Sequence, residues 1–227
     1  MTTIAGSVVL VTGANGGLGS EFVRQALALG AGRVYATARI PRDWHDDRVI
    51  PLHLDVTDPD SVEQLAQAAP DVNIVINNAG IARSGSLLDG PFDDARDQME
   101  TNFFGPLLVA RAFAPALRAR HGALVNISSV LAWYPVGEGY STSKAALWSA
   151  TNAMRIALAP AGVQVLGAYL AQTDTPMMSG RGVENLNDPA DVVRDIYAGL
   201  EAGVAEVLAD ELTVRVRASL SQPVAAA

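Results

Sequence analysis

Short apolar runs rich in β-branched residues recur along the chain at 7–11, 33–38, 49–54, 73–77, 123–127, 163–169 and 206–208. They are apolar at consecutive rather than alternate positions, the pattern of strands covered on both faces. Between them the apolar positions fall at helical spacing, over 18–29, 59–68, 92–118, 140–159 and 190–202, with 212–220 last. The stretch 92–118 reads as two helices meeting near Phe103 to Pro106. Strand alternates with helix, which predicts right-handed crossovers and an α/β fold: a doubly wound, Rossmann-type parallel sheet of about seven strands with helices on both faces. Gly30 is placed to end the first helix, and Asp58-Pro59 and Asp188-Pro189 each supply an N-cap followed by proline in the first turn. No linker or repeat divides the chain, so 1–227 is read as a single domain with a short lid over about 175–188 and a frayed tail at 222–227.

Hydrophobic residues make up 49% of the 227 positions and charged residues 18%, enough for a large core. The net charge of −8 disfavours nucleic acid and anionic membranes as partners. The start has no basic leader of a secretory signal, and no apolar run reaches the ~18 residues of a membrane span. The absence of cysteine fits a reducing cytoplasm, the expected location. The three histidines are scattered, so no metal site is expected.

The first strand runs into Thr12-Gly13-Ala14-Asn15-Gly16-Gly17-Leu18-Gly19 and then a helix. Glycines there permit a tight turn and close approach of backbone to a pyrophosphate, with unpaired helix N–H groups facing the anion. The second strand closes with Thr37-Ala38-Arg39, with no carboxylate to accept from an adenosine ribose. Arg39 can instead bind a 2′-phosphate, with Asn15 as a neutral donor and Arg42 as a weaker candidate, so NADP(H) is favoured and NAD(H) stays open. Tyr140 and Lys144 stand four apart at the start of a predicted helix and project from one face. A phenol with a pKa of about 10 becomes a usable acid and base beside an ammonium. Strand 123–127 ends in Ser128-Ser129, strand 73–77 runs into Asn77-Asn78-Ala79-Gly80, and Asn102 lies in an otherwise apolar helix.

Taken together, these residues resemble the short-chain dehydrogenase/reductase family over nearly the whole chain. Gly13, Gly17 and Gly19 match its T-G-x-x-x-G-x-G turn, Asn77 to Gly80 its N-N-A-G, Asn102 its helix asparagine, and Tyr140 with Lys144 its Y-x-x-x-K pair. The resemblance implies hydride transfer between NADP(H) and a ketone, aldehyde or alcohol, with Tyr140 as general acid and base and a serine hydroxyl positioning the oxygen. Lys144 would also bind the nicotinamide ribose, and Asn102 would hold a water that relays protons. Gly13, Asn15, Gly17, Leu18, Gly19, Arg39, Asp55, Val56, Asn78, Ala79, Gly80, Tyr140, Lys144, Thr173 and Thr175 would form the cofactor site. Within it, Asp55 would touch the adenine and Thr175 hold the carboxamide, while Asn77 to Gly80 brace the central strand. A homodimer or homotetramer built on the two long helices is expected.

Three features depart from the family pattern. The serine stands 11 residues before the tyrosine if it is Ser129 and 12 if it is Ser128, against about thirteen in the family. Ser129 is assigned by its local context and Ser128 is kept as the alternative. Leu170-Ala171 replaces a Pro-Gly pair, and Gly13, Gly16 and Gly19 also fit the glycine turn of the longer, epimerase-like branch, against which the chain's length and Asn77 to Gly80 decide. Trp133, Tyr134, Val136, Met177 and Met178 are candidates for an apolar pocket, suiting a small hydrophobic carbonyl or alcohol, or else are packing or a subunit contact. Trp148 reads as core. Two rival functions are a cofactor-binding regulator without chemistry and an epimerase or dehydratase of the extended branch.

Overall fold

The computed structural model describes residues 2–180 and 182–221; the expected frayed tail lies outside them. Seven strands form one sheet: β1 (Val8–Thr12), β2 (Arg33–Ala38), β3 (Val49–His53), β4 (Ile74–Asn77), β5 (Ala123–Ile127), β6 (Gln164–Tyr169) and β7 (Glu206–Leu208). Their order is β3-β2-β1-β4-β5-β6-β7 and every pairing is parallel. The chain winds outward from β1 in one direction and returns to continue from β4 in the other. The C-terminal ends of β1 and β4 therefore diverge into a crevice, the usual ligand position of such sheets.

The helices are α1 (Gly17–Ala28), α2 (Pro59–Ala68), α3 (Phe92–Met99), α4 (Gly105–Arg120), α5 (Glu138–Leu158), α6 (Pro189–Glu201) and α7 (Glu211–Ala218). Consecutive strand residues feed opposite cores. Val9, Val11, Ile74, Ile76, Val125 and Leu166 pack with Phe22 and Val23 of α1 and Val193 and Ile196 of α6. Leu10, Val75, Leu124 and Val165 pack with Leu65 of α2, Phe113 and Leu117 of α4 and Leu158 of α5. Each such side chain contributes about 1.5–3 kcal/mol on burial, which makes the sheet a firm platform for its loops. Asp58 and Asp188 cap α2 and α6 through Asp60 N–H and Ala190 N–H, each followed by its proline. Gly30, at φ +85°, ends α1.

The predicted break within 92–118 takes a different form. Between α3 and α4 the chain stays helical but widens to a π turn over Glu100–Phe104, in which Gly105 N–H reaches back to Glu100 O. An α-helical bond to the Asn102 carbonyl would need an N–H at position 106, where proline has none. The widened turn is the local answer, and it sits at a candidate site residue, where such turns concentrate.

Candidate active site

A cleft of about 1810 Å³ opens over the C-terminal ends of the strands. It brings together Gly13, Asn15, Gly17, Leu18, Arg39, Asp55, Val56, Asn78, Ala79, Gly80, Ser128, Ser129, Tyr140, Lys144, Thr173 and Thr175. Of the predicted site residues, Gly19 and Asn102 lie behind its wall rather than on it.

The phosphate turn is shaped by close packing. A Cβ at Gly19 would lie 2.1 Å from Gly13 O, so no larger residue fits. Gly17 has φ +49° and a Cβ there would meet Thr175 at 3.0 Å, whereas Gly16 has neither a positive φ nor a close neighbour. The structural demand for glycine thus falls on positions 13, 17 and 19, the compact spacing. Gly16 at the N-cap of α1 supplies no side-chain acceptor, and the first turn holds no acidic residue. The open N–H groups and positive end of the helix suit an anion. Thr12 ties this turn to the next loop: its hydroxyl accepts from Asn78 N–H and Ala79 N–H, both at 3.0 Å, while Asn78 Nδ2 donates to Thr12 O at 2.9 Å.

At the other end, Asn15 Nδ2 donates to Ile40 O at 2.6 Å and clamps the phosphate turn to the segment that carries Arg39. Arg39 is exposed on the cleft wall. Arg42 does not line the cleft; its guanidinium stacks 4.0 Å from the Trp44 ring centroid. Asp55 accepts from the Thr57 hydroxyl at 2.7 Å and Thr57 N–H at 2.9 Å, which hold its carboxyl below the usual range. The bare helix end, the space left by absent Cβ atoms, a preformed carboxylate and an exposed arginine fit a dinucleotide with an added phosphate.

On the opposite wall, α5 carries Tyr140 and Lys144 one turn apart, with Lys144 Nζ 5.6 Å from the Tyr140 ring centroid. Lys144 is 4% exposed, and burial lowers its pKa from 10.5 to about 8. Its Nζ donates to Ile127 O at 2.9 Å, the last carbonyl of β5. Ser128 Oγ turns back to Lys144 O at 3.4 Å. Ser129 Oγ accepts from Leu131 N–H at 3.1 Å and approaches Leu170 O at 3.4 Å. Asn102 is fully buried: it accepts from Ile81 N–H at 2.8 Å and donates to Ile81 O at 2.9 Å and to Ser143 Oγ at 3.0 Å. It thereby fastens the loop after β4 to α5.

Asn77 braces the strands as expected, with supporting residues Asn126, Thr151 and Asp210 that the sequence does not single out. Asn77 Nδ2 donates to Asn126 Oδ1 at 2.9 Å and to Pro106 O at 3.1 Å, and Asn126 Nδ2 donates to Thr151 Oγ1 at 2.9 Å. This chain of buried amides joins β4, β5, the start of α4 and α5 behind the cleft; Asn77 Oδ1 is left without a partner. The available signal was polar Asn126 in an otherwise apolar run. Where Leu170-Ala171 replaces Pro-Gly, Asp210 holds the backbone: Ala171 N–H donates to its Oδ2 at 2.7 Å and Asn187 Nδ2 to the same oxygen at 3.1 Å.

The apolar candidates divide. Val136, Met177 and Met178 line the cleft, with Leu131 and Val183. Trp133 and Tyr134 do not: Trp133 is buried against Tyr169, ring centroids 4.3 Å apart, and against Trp148 at 6.2 Å, the latter in core as expected. The expected lid has a short helical turn, Pro176–Met178, and is closed at its base by the Thr173 to Asn187 bridge. Among the described residues, no group of three His, Asp or Glu side chains could hold a metal ion, and no helix is long and apolar enough to cross a membrane.

Comparison with known proteins agrees with this geometry. Residues 7–185 match the family model described as short chain dehydrogenase. An NADPH-dependent 1-acyldihydroxyacetone phosphate reductase of Schizosaccharomyces pombe is 34% identical over 182 residues, covering 75% of this chain and 61% of that protein. A 3-ketodihydrosphingosine reductase of Bacteroides thetaiotaomicron is 31% identical over 186 residues, covering 79% of this chain and 68% of the relative. The chain thus spans about two thirds of the length of these relatives. A short chain dehydrogenase from Burkholderia cenocepacia, solved in complex with NADP, superimposes with a TM-score of 0.92 at 34% identity, covering 97% of this chain and 95% of that one. The chain belongs to the short-chain dehydrogenase family.

Proposed function

We propose that this chain is an NADP(H)-dependent oxidoreductase that interconverts a carbonyl and an alcohol on a small hydrophobic substrate. The observation that carries the reading is the facing arrangement of two walls: an uncapped helix end with Arg39 on one side, and Tyr140, Lys144 and Ser129 on the other. When bound, the nicotinamide supplies or takes up hydride. Tyr140 Oη gives a proton to the carbonyl oxygen in reduction and takes it back in oxidation. Lys144, with a pKa of about 8, stays mostly cationic at neutral pH and favours the phenolate beside it. Ser129 Oγ donates to the substrate oxygen, and Asn102 fixes Ile81 and α5 relative to each other, the frame on which a proton-relay water would sit.

Arg39 receives the 2′-phosphate, Asp55 and Val56 the adenine, and Leu18, Thr173 and Thr175 the nicotinamide half. Val136, Met177, Met178 and Val183 give the substrate end its apolar lining. The two sequence relatives are named as reductases of 1-acyldihydroxyacetone phosphate and 3-ketodihydrosphingosine, and the structural relative was solved with NADP; these names support the reading. Exposed Phe104 and Ile156, beside α4 and on α5, support pairing of two or four copies across these helices. A cytoplasmic setting belongs to the same reading.

The test is a carbonyl panel offered to the purified chain with NADPH and with NADH, followed by loss of reduced-nicotinamide absorbance. Turnover of apolar ketones or aldehydes, faster with NADPH, is expected. Cofactor binding without turnover would establish the regulator instead, and conversion of nucleotide sugars without net cofactor consumption the extended-branch reading.

A further inference from the structure

The segment Val136-Gly137-Glu138-Gly139-Tyr140 places a glutamate between two glycines, two positions before the candidate proton donor. Glu138 itself occupies φ +46°, ψ −115°, a conformation that L side chains avoid and glycine adopts freely. A strained residue at the first turn of the catalytic helix invites the question of what its side chain does. Its Oε2 accepts a hydrogen bond of 2.5 Å from Leu87 N–H, 51 positions earlier.

Leu87 belongs to the loop that follows Asn77 to Gly80 and forms the substrate-side wall of the cleft through Arg83, Ser84, Gly85 and Ser86. Two buried side chains fix the loop's beginning: Asn102 holds Ile81, and Gln98 Oε1 accepts from Arg83 N–H at 2.9 Å. Beyond that point support thins. Leu88 N–H and Asp89 N–H bond to Ser86 Oγ and Gly90 N–H to Ser86 O, all inside the loop. Among the described residues, the bond to Glu138 is the one hydrogen bond that ties 84–90 to another element, beside which the Leu87 side chain rests near Gly139 of α5. That stretch is largely exposed, so little apolar burial could replace it.

Resting on the oxidoreductase reading, we infer that Glu138 is a positioning residue whose carboxylate latches the 84–90 loop to α5 and so shapes the substrate side of the cleft. From this strained backbone the side chain reaches Leu87 N–H beside the cleft. The latch shares α5 with Tyr140, so the wall and the proton donor keep a fixed relation.

The test compares Glu138→Gln, which keeps an acceptor oxygen, with Glu138→Gly, which relieves the backbone and removes the acceptor. Amide hydrogen exchange at Leu87 should quicken by about ten- to a hundredfold in Glu138→Gly and stay near wild type in Glu138→Gln. KM for the carbonyl substrate should rise about tenfold in the glycine variant with kcat and NADPH affinity within about twofold, and the glutamine variant should restore it. Unchanged exchange at Leu87 in Glu138→Gly would overturn the latch. Faster exchange with an unchanged KM would overturn its role in the substrate wall. A wild-type chain that turned over no carbonyl would sink the oxidoreductase reading, while the exchange comparison would still decide for or against the latch.

Discussion

Replacing Lys144 by methionine should change how stability depends on pH, because the native fold holds a lysine where its charge is poorly solvated. Burial lowers its pKa from 10.5 to about 8. Between these values the folded protein binds fewer protons than the unfolded chain, so stability rises with pH. The penalty is complete below about pH 8 and vanishes above about pH 10.5; at 1.36 kcal/mol per unit it amounts to about 3 kcal/mol. Lys144 is 4% exposed, so solvent screening takes little from this figure. Methionine has similar bulk and no charge. Losing the 2.9 Å bond to Ile127 O shifts the variant's whole curve without giving it a slope. Burial raises the pKa of Tyr169 and Tyr197, which lowers stability at high pH in both proteins and cancels in the comparison. Urea unfolding of wild type and Lys144→Met from about pH 7 to about pH 10 reads the difference, in which wild type should gain about 2–3 kcal/mol relative to the variant. Parallel curves would refute the reasoning and show Lys144 to be solvated in the native state.

Other consequences follow from the same geometry. Arg39→Ala should weaken NADPH binding by about ten- to a hundredfold and leave NADH nearly unchanged, measured by cofactor fluorescence titration; equal loss for both would remove the 2′-phosphate role. Gly16→Ala should cost less than about 0.5 kcal/mol, whereas Gly17→Ala, at φ +49° and 3.0 Å from Thr175, should cost about 1–3 kcal/mol in thermal unfolding. Asn126→Leu removes two buried bonds of 2.9 Å and should cost about 2–4 kcal/mol in urea, with any activity loss tracking the unfolded fraction.

Strands such as 33–38 and 123–127 were legible to the residue, since a strand buried on both faces leaves a largely apolar run, bounded here by Gly32 and Arg39 and by Gly122 and Ser128. The glycine turn was equally readable, because Gly13, Gly17 and Gly19 fall between the first strand and the first helix at the compact spacing. In the sequence, chain length and Asn77 to Gly80 favour Gly17 over Gly16; the contact that makes the demand structural, with Thr175, lies far along the chain. The π turn at Glu100–Phe104 has a signal in Pro106, whose missing N–H forbids the α-helical bond to Asn102, but the apolar spacing by itself shows only a break between helices. For Trp133 the sequence leaves pocket and packing both open, because its partners Tyr169 and Arg217 come from β6 and α7 and an aromatic ring gives no local sign of which side it faces. Asn126, Thr151, Asp210 and Glu138 share this limit, being polar residues whose partners lie far from them in the chain.

The measurement that bears most directly on the account is turnover by Tyr140→Phe with NADPH and a ketone that the wild type reduces. Removing one hydroxyl oxygen should lower kcat by at least about a hundredfold while NADPH affinity and thermal stability stay near wild type. Turnover within about threefold of wild type would contradict proton transfer by this phenol and with it the proposed chemistry of the cleft.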